Sequence, residues 1–365
     1  MLALYLILFV FLFSRMAVAG YNYFTLPRLN RQHSGAGDLL SILIPARNEE
    51  NNISTLLESV LIQRNIKFEI IVLDDHSTDD TAVILERFAA KHSCIKVLKG
   101  QPLPSDWTGK NYACHQLSKA AKGKYIVFLD ADVELHPDAL ASALSQMRKK
   151  DLSLLSLFPD QQTTTLGEQM TVPLMNYLLL TLLPLRLIES HRFPVFSAAC
   201  GQFMMFNAAD YQKHQWHFKA RGKIAEDLVI MKLVKQSGSR GEGLMAGGLI
   251  KCRMYMGFQE AVKGFSKNFI APFNDSVALF IGFLSLLVVG PAILIYIAPW
   301  HMLALFAIMI AITRFFTAML SGRNFIFELL LHPLQIFSLL CISSLAIYSK
   351  FNRSVSWKGR EFATY

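Results

Sequence analysis

The chain has 365 residues, of which 53% are hydrophobic and 17% charged, with a net charge of +9 and a mean hydropathy of +0.34. A soluble globular domain carries about 25% charged residues, so this composition excludes a wholly soluble protein. The basic residues are scattered, with no Arg/Lys comb interleaved with aromatics, which excludes a nucleic-acid-binding surface.

The first segment, residues 1–14, carries no charge, and apolar character resumes after Arg15 up to Phe24. Ala17-Val18-Ala19 imitates a signal cleavage site, but no basic residue precedes the apolar stretch, so 1–24 is expected to be a retained anchor. Arg28 and Arg31 follow it, and the positive-inside rule puts the following body in the cytoplasm, at a cell inner membrane.

From Leu39 to Leu157 short apolar runs alternate with helical patterns of 10–15 residues. Strands are expected at Ser41–Ile44, Phe68–Leu73, Ile95–Leu98, Tyr125–Leu129 and Leu152–Leu157. Helices are expected at Glu50–Gln63, Asp79–Ala90, Asn111–Ala121 and Pro137–Lys149. This alternation implies an α/β domain, 39–270, with a mostly parallel sheet covered on both faces. Ligands of such sheets sit at the carboxyl ends of the strands. Residues 172–188 are apolar but interrupted by Pro173 and Pro184, and are expected to lie in the membrane interface. If they crossed, Asp130 and Asp227 would fall on opposite sides of the bilayer.

Five polar features fall at the strand ends. Pro45-Ala46-Arg47-Asn48-Glu49 leaves a strand into a polar turn that can hold a nucleotide, or that simply caps a helix through Asn48. Asp74-Asp75 closes the second strand, where an Asp can accept from a base N–H. Asp130-Ala131-Asp132 follows a buried strand, and two carboxylates one residue apart there can reach one hard divalent cation. Such a cation would neutralise a departing diphosphate. Lys110, after Trp107-Thr108-Gly109, stands at a helix start suited to a phosphate. Glu226-Asp227 opens a helix over Leu228–Gln236, and Asp227 is the candidate base for a hydroxyl nucleophile.

In this order the five pieces resemble the family 2 glycosyltransferases of GT-A fold, over roughly residues 39–240. The resemblance implies that Pro45, Ala46, Glu49 and Asp75 contact uridine, and Lys110 the base or the diphosphate. It further implies that Asp130 contacts the nucleotide, Asp132 holds Mg²⁺ or Mn²⁺, and Asp227 is the base of an inverting transfer from a UDP-sugar. Trp107-x-Gly109-Lys110, Gly201-Gln202-Phe203, Arg253-Met254-Tyr255, Gly264-Phe265-Ser266-Lys267 and Trp357-Lys358-Gly359-Arg360 are similar to the small membrane-bound members that glycosylate hopanoid or carotenoid-acid lipids. That likeness implies a membrane lipid acceptor, with Gly201 and Gln202 near it. The alternative is transfer to a polyprenyl phosphate or cell-surface polysaccharide. The Gln-x-x-Arg-Trp string of processive synthases is absent, which argues against a polymer.

Residues 276–313 form a charge-free run of 38, expected to be a hairpin of two spans turning at Pro299, and a third run covers 329–349. Three C-terminal spans, within 275–349, would put the basic tail 350–365 outside, against the positive-inside rule. His332-Pro333 offers a point where the last run breaks. The transporter alternative would favour carboxylates within the apolar runs, and they contain none. The cysteines Cys94, Cys114, Cys200, Cys252 and Cys341 are odd in number and lack metal-ligand spacing, as expected of reduced thiols.

Overall fold

The computed structural model describes residues 2–32, 37–190, 193–352, 355–357 and 360–362. In the tail 350–365, residues 353–354, 358–359 (including Lys358 and Gly359) and 363–365 lie outside the described residues.

Seven strands form the main sheet: β1 (Leu39–Ala46), β2 (Lys67–Asp74), β3 (Ile95–Lys99), β4 (Tyr125–Leu129), β6 (Leu154–Phe158), β8 (Phe203–Asn207) and β9 (Gly241–Met245). Three short strands, β5 (Val133–Leu135), β7 (Asp160–Gln161) and β10 (Ile250–Cys252), make a second sheet against it. The main order is β3-β2-β1-β4-β8-β6-β9. Every pairing in it is parallel except those of β8, which runs antiparallel to both β4 and β6.

The central strands are apolar along their whole length because both sheet faces are covered. Ile42, Ile44, Val72, Val127 and Leu155 pack to one side under helices Ile53–Leu61 and Ala139–Lys150. Leu43, Ile71, Ile126 and Phe128 pack to the other, against helices Gly109–Ala120 and Glu226–Gln236. The expected helix at Glu50 begins at Ile53 instead, because residues 47–52 are drawn into the turn described below.

Four helices are long and apolar enough to cross a membrane: Leu2–Thr25, Val277–Ile297, Trp300–Leu320 and His332–Phe351. The hairpin turns where expected, with Pro299 as N-cap of Trp300–Leu320. The first three pack side by side. The Tyr5 hydroxyl donates to the Ile297 carbonyl at 3.0 Å at one end, and Gly20 lies against Phe316 toward the other. Arg28 donates to the Leu320 carbonyl at 2.7 Å, so the α/β body hangs from the Thr25/Leu320 end. Helix Pro173–Leu182 is wedged between these helices and the body. Arg15 donates to Thr181 Oγ1 at 2.8 Å, and Asn22 Nδ2 donates to the carbonyls of Leu180 and Leu183.

Candidate functional site

β1 and β2 are parallel and in register to their last residues, Ala46 opposite Asp74, so the two loops that follow emerge side by side. They are stitched together. Arg47 Nη1 donates to the carbonyls of Asp75 (2.6 Å) and His76 (3.1 Å). Asn48, in the left-handed region at φ 53°, donates its N–H to Ser77 Oγ and accepts from the Thr78 N–H. This is the role of Asn48, in place of helix capping. The Glu49 N–H donates to Thr81 Oγ1 at 2.8 Å. Pro45, Ala46, Arg47, Glu49 and the buried Asp75 all line one cavity. Asp74 is not among its lining residues; its Oδ1 accepts from the Ser77 N–H at 3.1 Å and fixes the turn.

β4 ends at Leu129, and its antiparallel partner β8 begins at Phe203, opposite it. The residues just outside that register must therefore face each other: the Asp130 N–H donates to the Gln202 carbonyl at 3.2 Å. Gly201 and Gln202 are thereby set against Asp130 and Asp132. Gln202 Nε2 donates to Asp132 Oδ2 at 3.2 Å and contacts Cys252 Sγ at 2.7 Å. The other Asp132 oxygen, Oδ1, is buried without a hydrogen-bond partner. Burial first, then the charges of Asp130 and Glu49, raise the Asp132 carboxyl to about 6.

Lys110, in the first turn of its helix, is the electrostatic hub. Its Nζ lies 2.7 Å from Asp130 Oδ1, 3.5 Å from Glu226 Oε1 and 3.5 Å from the Gly201 carbonyl oxygen. Burial works to discharge this amine, but Asp130 and Glu226 overrule it and hold it charged well above its ordinary range. Asp227 accepts from the Gly201 N–H (3.0 Å) and from its neighbour Leu228 (2.7 Å). Burial raises the Asp227 carboxyl and lifts that of Glu226 to about 7, although the Lys110 charge opposes both.

Of the residues singled out from the sequence, Pro45, Ala46, Arg47, Glu49, Asp75, Lys110, Asp130, Asp132, Gly201, Gln202, Glu226 and Asp227 border a single cavity of about 1430 Å³, and Asp74 does not. Its polar end holds the carboxylates. Its other end is walled by Met175, Leu178, Leu179 and Leu182 of helix Pro173–Leu182, by Phe265 and Phe269, and by Phe280 and Phe283 of the first hairpin helix. Gln161, whose Nε2 donates to Gln202 Oε1 at 3.3 Å, and Cys252 on the other side of Gln202 left no signal in the sequence, because β7 and β10 are too short to show a period. The Arg253 guanidinium is spent on Glu168 (3.0 Å) and Thr164 (2.7 Å). Although Glu168 is buried, those donors, with the Thr164 N–H foremost, draw its carboxyl down to about 2.

A nearly parallel sheet with an Asp-x-Asp turn at the end of β4, facing an acidic helix start across a cavity, defines the GT-A class of fold. Residues 41–215 match the family model described as glycosyl transferase family 2. The chain is 29% identical over 238 residues to 4,4'-diaponeurosporenoate glycosyltransferase of Staphylococcus haemolyticus. It is 30% identical over 239 residues to the enzyme of the same name from Staphylococcus aureus. Each match covers 63% of this chain and 60% of the relative. Among solved structures, the mannosyltransferase PcManGT from Pyrobaculum calidifontis, in complex with GDP-Man and Mn²⁺, superimposes with a TM-score of 0.58 at 16% identity. That likeness covers 98% of this chain and 99% of the other.

Proposed function

We propose that this protein is an inverting hexosyltransferase that moves a sugar from a UDP-sugar to an amphipathic lipid held in the cytoplasmic leaflet. The observation that carries the reading is the cavity itself, which joins a carboxylate-rich end at the strand termini to an apolar end built partly from a membrane helix. A soluble acceptor needs no such wall. The similarity to carotenoid-acid glycosyltransferases points the same way.

The residues present fit a divalent cation. Among the described residues no group of three or more His, Cys, Asp or Glu side chains could hold a metal. That suits Mg²⁺ or Mn²⁺, which take one or two carboxylates and complete their shell with water and substrate phosphates. Asp132, with one buried oxygen unpartnered, would be the main ligand, and Asp130 the second. When bound, the cation would neutralise charge on the leaving diphosphate.

The remaining work falls to the chain. Asp75 and the loop 45–49 hold the nucleoside, with Arg47 clamping the two loops together rather than reaching the ligand. Lys110 supplies positive charge beside the diphosphate while keeping Asp130 in place. Asp227 is oriented by two backbone N–H groups and made more basic by burial, as removal of a proton from the acceptor requires. Glu226 shares the Lys110 charge and keeps that lysine turned toward the site.

The test is to incubate membranes containing the protein with radiolabelled UDP-glucose or GDP-mannose and then extract with organic solvent. Label should enter the lipid phase from the UDP-sugar, and Asp227→Asn should lower that rate by about 10²–10⁴-fold. A labelled polymer pellet without labelled lipid overturns the lipid acceptor, and labelling from GDP-mannose alone overturns the donor.

A further inference from the structure

Helix His332–Phe351 has 20 residues, about 30 Å at 1.5 Å per residue, which is long enough to cross a bilayer. Its surroundings contradict a crossing. At its C-terminal end, Lys350 Nζ lies 3.3 Å from Asp275 Oδ1, and Asp275 stands one residue before Ser276, the N-cap of the helix Val277–Ile297. That pair is exposed and adds little stability, but it measures position: the last helix ends where the hairpin begins. The hairpin begins on the side of the catalytic body, because its far turn meets the N-terminal end of Leu2–Thr25 through Tyr5 and Ile297.

The other end of the helix is fixed at nearly the same level. Arg314 Nε donates to His332 Nδ1 at 2.9 Å, and Arg314 lies six residues, about 9 Å, before the body-side end of its own helix at Leu320. Buried Glu328 joins Arg314 and Arg323 and accepts from Gln335 Nε2 at 2.9 Å. Arg323 then reaches Thr163, and Gln335 donates to the Gln169 carbonyl, both on the catalytic body. A 30 Å helix whose ends differ in depth by about 9 Å lies close to the membrane plane.

Its two faces agree with that position. Gln335, Ser338, Leu339, Ile342, Ser343 and Ala346 are buried. The core they join includes Val172, Phe265 and Phe280, which line the cavity, so this helix backs the cavity wall. Leu334, Phe337, Leu340, Tyr348 and Phe351 form an exposed stripe at helical spacing on the opposite side.

We infer that His332–Phe351 is an interfacial helix whose apolar stripe dips into the leaflet facing the catalytic body, and that the chain crosses the membrane three times. The basic tail then stays on the side of the catalytic body, next to anionic head groups, as its Lys350, Arg353, Lys358 and Arg360 favour.

The experiment places an epitope tag after Tyr365 and, in a separate full-length chain, within the turn at Asp151, and digests sealed inside-out and right-side-out vesicles with protease. Both tags should be cleaved in the same vesicle orientation. Cleavage in opposite orientations overturns the inference. An independent reading comes from Asp275→Cys combined with Lys350→Cys in intact membranes: mild oxidation should join the peptides bearing these residues, as identified by mass spectrometry. Absence of that link, when free thiol at both positions is labelled, also overturns it.

Discussion

In the folded protein the Asp132 carboxyl is raised from the ordinary 3.8 to about 6, chiefly by burial. A raised carboxylate favours the folded state while protonated, so this contribution is present below pH 4 and is lost as pH rises through 6. A divalent cation needs the ionised form, and its affinity follows the opposite course. Thermal unfolding in detergent should therefore show little Mn²⁺ stabilisation at pH 5. At pH 7.5, with Mn²⁺ at a hundredfold excess over Kd, it should show about 2.7 kcal/mol. Asp132→Asn should remove the Mn²⁺ response at both pH values, and a retained response at pH 7.5 would move the cation elsewhere. Gly201 gives a second case at this scale. A Cβ there would sit 2.9 Å from Lys110 Nζ and 3.4 Å from Glu226 Oε1. The lysine head can swing aside, so Gly201→Ala should change stability by less than about 1 kcal/mol. It should nevertheless reduce kcat/KM by up to about 10²-fold, because displacement of a positioning charge by about 1 Å is costly in catalysis. Equal kinetics for the variant would remove Lys110 from the mechanism.

At the scale of elements, the sequence displayed the parallel half of the sheet and concealed the rest. β1, β2, β3, β4 and β6 are apolar runs separated by helices with a clear period, so their ends, and hence Asp75, Asp130 and Asp132, could be placed without coordinates. β8 could not, because Phe203-Met204-Met205-Phe206 is a continuous apolar run that a buried helix would share. β9 holds two glycines in five residues, and β5, β7 and β10 span three residues or fewer. Gly201 and Gln202 are therefore legible in the sequence only through resemblance, whereas the physical reason for their position is the antiparallel register of β8. Helix Phe258–Ser266 offers a test of packing between elements. A Cβ on Gly264 would come within 2.2 Å of the Tyr255 ring, which itself rests edge-on against Phe265. Gly264→Ala gains about 1 kcal/mol in helix propensity, against about 1–3 kcal/mol for overpacking, so it should destabilise. In a Tyr255→Ala background the ring is gone and the same change should stabilise by about 1 kcal/mol. The sign reversal, read by chemical denaturation of the detergent-solubilised protein, is the check; the same sign in both backgrounds would show that the ring is not what the glycine accommodates.

For the whole molecule, the polar and apolar ends of one cavity belong to two solvents. The carboxylates stand at the strand ends of the α/β body, while Phe280 and Phe283 belong to a helix long and apolar enough to cross a bilayer. Asn22 and Arg15 of the N-terminal helix hold Pro173–Leu182, the shared wall, in place through buried hydrogen bonds. An acceptor that reaches the site through that wall arrives by diffusion within the membrane, so the enzyme senses its mole fraction in lipid and not its bulk concentration. In proteoliposomes with donor, enzyme and total acceptor constant, tenfold dilution of the acceptor with inert phospholipid should lower the initial rate up to tenfold while the acceptor is below saturation. The loss should be reversed by raising the acceptor mole fraction again at the same total lipid. A water-borne acceptor would give a rate that ignores added phospholipid, and that result would separate the membrane helices from acceptor delivery and leave them as anchors alone. The same assay with Phe280→Ala should raise the mole fraction needed for half-maximal rate without altering the dependence on the donor, because that side chain belongs to the apolar end of the cavity and not to the carboxylates proposed to handle the nucleotide.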